Sequence, residues 1–189
     1  MLVYVLLMSW AAGCAPALAP TVADPAAIAW EDRTVYSAGL VGSERQALDQ
    51  LPGATVYHID LTIPDDLTIL EGREEVRYTN CETRTLEELY LHLVPNYSGG
   101  KVTIASLAVD GTETAFEAVF EETAIRVPLV LPLAPNDAIT LRVDFRVEVP
   151  REMGGKYGLF GYFEDVLVLD TFYPAVAAYH GDGWQVQPM

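Results

Sequence analysis

The sequence predicts an all-β domain, a mostly antiparallel β-sandwich or saddle-shaped sheet with one short N-terminal helix. Three observations predict it. From Ala54 onward the apolar residues recur at every second position, which is the strand period and not the helical one. Turn-forming groups interrupt the chain at short, regular intervals, at Pro64-Asp65-Asp66, Ser98-Gly99-Gly100, Asp110-Gly111 and Pro135-Asn136-Asp137. No long amphipathic helix stands between successive segments, which argues against parallel strands joined by crossover helices.

The elements follow in chain order. Residues 1–13 carry an apolar run from Met1 to Trp10, shorter than the roughly 20 residues a bilayer span needs. The run fits the hydrophobic region of a secretory signal and ends in Ala11, Ala12 and Gly13. Small residues placed directly before Cys14 resemble a bacterial lipoprotein signal. In such a signal, cleavage leaves the cysteine as the new N-terminus and its sulfur takes a lipid. The resemblance implies an exported protein held at the cell envelope, with Cys14 lipidated and the membrane as a partner. The alternative is a plain cleaved signal peptide and a secreted protein.

Residues 14–30 are rich in Ala and Pro and lack apolar periodicity, as expected of a tether. Residues 31–53 form a helical lead-in. There Ser43, with Gln46 three positions on, has the spacing of a capping box, and Pro52-Gly53 closes the helix. The β-domain occupies residues 54–189. Its strands are expected in TVYHIDLTI, EGREEVRYTN, LEELYLHLVPN, KVTIASLAVDG, TAIRVPLVLPL and AITLRVDFRVEV. In the last of these, Ile139, Leu141, Val143, Phe145, Val147 and Val149 face one way, and Thr140, Arg142, Asp144, Arg146 and Glu148 the other. Six apolar side chains at roughly 1.5–3 kcal/mol each for full burial give the strand one orientation. A slip by one residue would bury Arg142, Asp144 and Arg146 instead.

The charge balance narrows the function. The 189 residues hold 27 acidic and 11 basic side chains, a formal net charge of -16. Such a surface repels phosphate backbones and anionic lipid, so nucleic acid is excluded as a partner. The acidity serves solubility; attraction of a cationic amine substrate is the functional alternative.

Motifs for chemistry are missing. The histidines are His58, His92 and His180, and no His-Glu-x-x-His stretch exists to bind zinc on a helix. His58 and His92 are expected on the polar faces of strands. No Gly-x-Ser-x-Gly elbow occurs, and the glycines of REMGGKYGLFGYF open no helix that could cradle phosphate. The acid pairs Glu74-Glu75, Glu87-Glu88 and Glu121-Glu122 are expected to be solvated. Besides Cys14 there is only Cys81, so no disulfide framework is expected, and Cys81 is expected to be a small half-buried residue. No catalytic residue and no metal ligand is expected in this chain.

The order of the strands carries a resemblance. YHIDLTIPDDLTILEGREEVRYTN, LEELYLHLVPN, LAVDG, VPLVLPLAPNDAITLRVDFRVEVP and YGLFGY, in this sequence, resemble the N-terminal β-domain of aminopeptidase N-type zinc metallopeptidases. The resemblance runs from about Thr55 onward, and DTFYPAVAAYHGDGWQVQP has a counterpart in a bacterial branch of those enzymes. It implies a β-domain docked on a thermolysin-like catalytic domain, and a role in proteolysis. It also implies that the zinc ion, its ligands and the general base belong to that catalytic domain. On this reading the chain is a fragment that stops before its β-domain is finished, binds no cofactor, and is inactive alone. Its partners would be the catalytic domain of the same protein and a peptide substrate. The resemblance places substrate-lining residues near Asp170, Thr171, Phe172 and Tyr173. Packing beneath the final loop is the structural alternative for Phe172 and Tyr173, and Trp184 is expected to cover a neighbouring domain. The alternative function is a stand-alone envelope lipoprotein, a β-sandwich that binds a ligand or partner without catalysis.

Overall fold

The computed structural model describes residues 29–30, 32–51, 53–152, 159–181 and 183–187. Cys14, the signal segment 1–13 and most of the 14–30 tether lie outside the described residues. The molecule is built from antiparallel strands. The first is β1 (Val56–Thr62), followed by β2 (Ile69–Thr79), β3 (Leu86–His92), β4 (Lys101–Val109) and β5 (Thr112–Glu113). Next come β6 (Glu117–Val119), β7 (Ala124–Leu133), β8 (Ala138–Glu148), β9 (Phe160–Phe163) and β10 (Val166–Leu169). The chain closes with β11 (Ala175–Val176), β12 (Ala178–His180) and β13 (Gly183–Gln185).

Two sheets make the sandwich. One has the order β1-β2-β8-β4-β5 and the other β11-β3-β7-β6, while β9-β10 and β12-β13 are separate hairpins. A single buried cluster joins them, with Leu70 and Val76 of β2 and Leu141, Val143 and Phe145 of β8 on one side. Leu89 and Leu91 of β3 and Ile125 and Val127 of β7 complete it. The β8 alternation is realised in full, because all six of its expected core residues are buried. On the opposite, solvated face the charges cross-pair. Arg73 meets Asp144 at 2.7 Å, Arg142 meets Glu75 at 2.6 Å, and Arg146 meets Glu71 at 3.5 Å.

Turn chemistry sets the hairpins. Asp110 and Gly111 between β4 and β5 both have positive φ, 46° and 79°, the twist that a two-residue hairpin favours. The strand β7 departs from regularity. Glu88 pairs with Pro128 and Leu86 with Leu133, so four residues of β7, Leu129 to Pro132, stand against one of β3.

The lead-in differs from expectation in detail. A single α-helical turn spans Thr34–Ser37, and Gly42–Gln50 is a 3-10 helix. Its N-cap is Val41 with no side-chain cap bond, so Ser43 lies inside the helix and does not cap it. No residue of this helix is buried, so no packed apolar face holds it in α geometry. Cys81 is exposed at a strand end, with its Sγ 3.7 Å from the Gly53 carbonyl. Segment 159–169, which has a loop-like composition, forms the β9-β10 hairpin instead.

Candidate functional site

The inward alternation of β2 continues through Leu70, Gly72, Glu74, Val76 and Tyr78. Glu74 is therefore carried into the core and is fully buried, and neither carboxyl oxygen has a hydrogen-bond partner. Burial pushes its carboxyl up to about 9, so it holds its proton at neutral pH. Its neighbour Glu75 points the other way and takes two hydrogen bonds from Arg142. The expectation that both acids are solvated holds for Glu75 and fails for Glu74.

The turn Asp170-Thr171-Phe172-Tyr173 packs its two aromatic residues against the same core. The ring of Tyr173 stands 5.2 Å from that of Tyr57 at 61°, and Phe172 stands 5.4 Å from Tyr173 at 77°, both edge-on. The hydroxyl oxygen of Tyr57 accepts the Val176 N–H at 3.0 Å, which ties β1 to β11. Burial, then the Glu74 charge, raises the Tyr173 phenol, and burial pushes that of Tyr57 to about 12. Asp170 stays exposed, donates its N–H to the Leu159 carbonyl, and accepts the Thr171 hydroxyl at 3.3 Å. Thr171 adopts a positive φ of 45°. Of the four residues expected to line a substrate, Phe172 and Tyr173 join one aromatic cluster, while Asp170 and Thr171 form its outer lip.

Two partners of this cluster escape motif reading. Tyr57 is a half-buried strand residue of ordinary type. Glu74 could have been found from the two-residue period, because it stands between Gly72 and Val76 on the apolar side.

Beside the turn, β11 pairs with β3 through Ala175–His92 and Val176–Leu91, and the Ala177 N–H reaches the Tyr90 carbonyl at 2.8 Å. The β12-β13 hairpin then lays Trp184 against Tyr78, Tyr90 and Tyr179, with centroids 6.1, 6.1 and 5.2 Å away. Trp184 is thus half-buried on its own domain. A groove of about 450 Å³ runs between it and Arg84, Glu88 and Tyr90. His92 Nε2 lies 2.9 Å from the Gln185 carbonyl, a bond that requires the proton on that nitrogen.

His58 occupies the solvated face of β1 as expected, but the Trp30 ring covers it, stacked at 4.1 Å and 1°. It is 9% exposed and its Nδ1 has no partner. Among the described residues no three His, Cys, Asp or Glu side chains converge as metal ligands.

No protein-family profile matches the chain, and no curated protein matches it. Solved structures similar to parts of it include M1 zinc metallopeptidases. The M1 zinc metallopeptidase of Deinococcus radiodurans is 20% identical, with a TM-score of 0.41 over 51% of this chain and 20% of that one. A glutamate-to-alanine mutant of that enzyme bound to a Tyr-Ser-Ala substrate is 18% identical, with a TM-score of 0.45 over 63% of this chain and 28% of that one. The chain thus spans between a fifth and under a third of the length of these solved structures.

Proposed function

We propose that this chain is the N-terminal, substrate-orienting and non-catalytic domain of an exported zinc metallo-aminopeptidase. The single observation that supports this most is the ordered strand series from Tyr57 to Tyr162, which resembles that domain and folds as one sandwich. The zinc of the partner catalytic domain would polarise the scissile carbonyl and activate water. This chain's own residues would do the positioning. The half-buried Phe172 and Tyr173 rings, packed edge-on with Tyr57 of β1, would present an apolar wall. Asp170, exposed beside them, supplies a negative charge suited to a cationic amine.

Two measurements test the reading. The purified chain is expected to hydrolyse no aminoacyl arylamide; turnover that co-purifies with it through successive columns would overturn the non-catalytic assignment. In a nuclear magnetic resonance titration with Tyr-Ser-Ala at millimolar concentration, shifts are expected at Asp170 to Tyr173. Shifts confined to the Trp184 groove, or none anywhere, would refute the substrate-lining role. The first of those results would favour the alternative, a binding module without catalysis.

A further inference from the structure

Glu74 is the feature of the core that packing alone does not account for. Across the sheet its row mates are Ile59 on β1 and Val143 on β8, followed by Leu107 on β4. The opposing sheet contributes Leu89, Leu91, Ile125 and Val127. The nearest charges of its own sheet, Arg73, Glu75, Arg142 and Asp144, lie on the other face and pair with one another there. Tyr57, two residues from Ile59 on β1 and on the same face, brings its hydroxyl to this side of the sheet, and its ring packs against that of Tyr173 from the turn after β10. Among the described residues these two phenols are the titratable groups that feel the Glu74 charge. Among the described residues no cation partners it, so an ionised Glu74 has none of them to stabilise it.

We propose that Glu74 is a proton-operated latch beneath residues 170–177: with its carboxyl neutral the segment stays clamped across both sheets, and loss of that proton lifts it. A carboxylate formed there must reach water, and it will leave by the weakest cover. The β1-β2 ladder is seven pairs long and the β2-β8 ladder eleven. Segment 170–177 is fastened by far less. It has the Asp170–Leu159 backbone bond, the Tyr57–Val176 bond, the two-residue pairing of β11 with β3, and the Ala177–Tyr90 backbone bond. Short, poorly bonded segments open locally at lower free energy than core ladders do. Lifting it parts Tyr173 from Tyr57 and displaces the Phe172–Tyr173 wall. Control of substrate contact by this motion rests on the function proposed above, whereas the latch itself does not.

Hydrogen exchange on the whole chain tests this, read at individual amides and corrected for intrinsic rates. From about pH 7 to about pH 9, protection at Val176 and Ala177 is expected to fall about tenfold per pH unit and then to level off, while staying below that of the β8 amides, which follow global stability. Glu74→Gln is expected to hold that protection across the range. Tyr57→Phe removes the acceptor of the Val176 amide and is expected to leave that amide weakly protected at every pH. Three results would overturn the proposal: protection at Val176 and Ala177 independent of pH, protection there equal to that of β8 at every pH, or the same loss in Glu74→Gln. If Glu74→Gln does not fold, carbon-13 titration of the Glu74 carboxyl in the natural chain decides. A midpoint in the ordinary glutamate range would then end the proposal. A latch that operates without peptide shifts at Phe172 and Tyr173 would leave the latch standing and the substrate-lining role refuted, and the reverse pattern would do the opposite.

Discussion

A neutral carboxyl in the core ties folding stability to pH, and Glu74 fixes the sign. Its folded value lies near 9 and its reference value is 4.5, so between these limits the native state keeps a proton that the unfolded chain releases. Stability is therefore full below about pH 4.5 and is lost as pH rises towards 9, at up to about 1.4 kcal/mol per pH unit. Glu74→Gln is expected to remove this slope while adding a constant cost for its own buried amide, a pattern that urea melts at several pH values would resolve. If both proteins keep equal slopes, Glu74 is charged in the fold. Gly72, one step along the same row, has a different sensitivity. A Cβ there would enter the ring of Phe145, which is itself buried. Gly72→Ala is expected to cost about 1–3 kcal/mol by overpacking, read as a lower denaturant midpoint at unchanged m-value. Both residues were partly legible in the sequence, because the period of β2 assigns them to the core side. What hid Glu74 was its residue type: a glutamate beside a second glutamate reads as solvated surface until the facing layer is known. Trp30 was illegible for a related reason, since its Ala- and Pro-rich surroundings give no sign that it stacks on His58.

Among the elements, the long strands were legible and the short ones were not. The strands β1, β2, β4, β7 and β8 each carry enough alternation to declare themselves, whereas β11, β12 and β13 are two or three residues long and exist through what they pair with. The bulge in β7 was also hidden, because Leu129-Val130-Leu131 reads as a continuous buried run. In the fold Val130 and Leu131 are 84% and 81% exposed. Replacing both with Ser is expected to leave stability within about 0.5 kcal/mol and to reduce concentration-dependent aggregation seen by light scattering. A large loss of stability would place these side chains in the core. Asn80 marks the opposite case, a single residue that organises three elements. Its amide donates to the Arg84 and Leu133 carbonyls at 2.8 and 2.9 Å, and its side-chain oxygen accepts the Glu82 N–H at 3.0 Å. Its backbone bonds Asn136 and Asp137, so the end of β2, the loop to β3 and the β7-β8 turn meet on it. Asn80→Ala leaves the buried Leu133 carbonyl without this donor and is expected to cost about 2–4 kcal/mol, measured by chemical denaturation. Asn80→Asp keeps the acceptor and turns a carboxylate on two carbonyls, so it is expected to be the worse of the two.

For the molecule as a whole, two electrostatic effects oppose each other, and salt separates them. The charged ladder on the outer face of the five-stranded sheet favours folding, and added salt weakens it. Its members are substantially exposed, with Arg73 at 63% and Arg142 at 59%, and exposed pairs contribute only about 0–1 kcal/mol each. Against it stands the excess of acid, 27 side chains against 11 basic ones. Five of those basic residues, Arg73, Lys101, Arg126, Arg142 and Arg146, already hold a partner carboxylate. The remaining acids repel one another more in the compact fold than in the extended chain. Screening over a Debye length of about 10 Å at 0.1 M salt relieves many such distant pairs at once, while the ladder loses a few short contacts. Repulsion therefore dominates, and sodium chloride raised from about 0.01 M to about 0.5 M is expected to stabilise the fold by about 1 kcal/mol. For a chain of this size that corresponds to a rise in Tm of about 2–4 °C. Chloride is the appropriate salt, because sulfate strengthens apolar burial regardless of charge. A Tm that falls with chloride, followed by far-ultraviolet circular dichroism near neutral pH, would mean that the ladder outweighs the net charge, and Arg142→Ala, which removes one of its three pairs, would then weaken the salt effect.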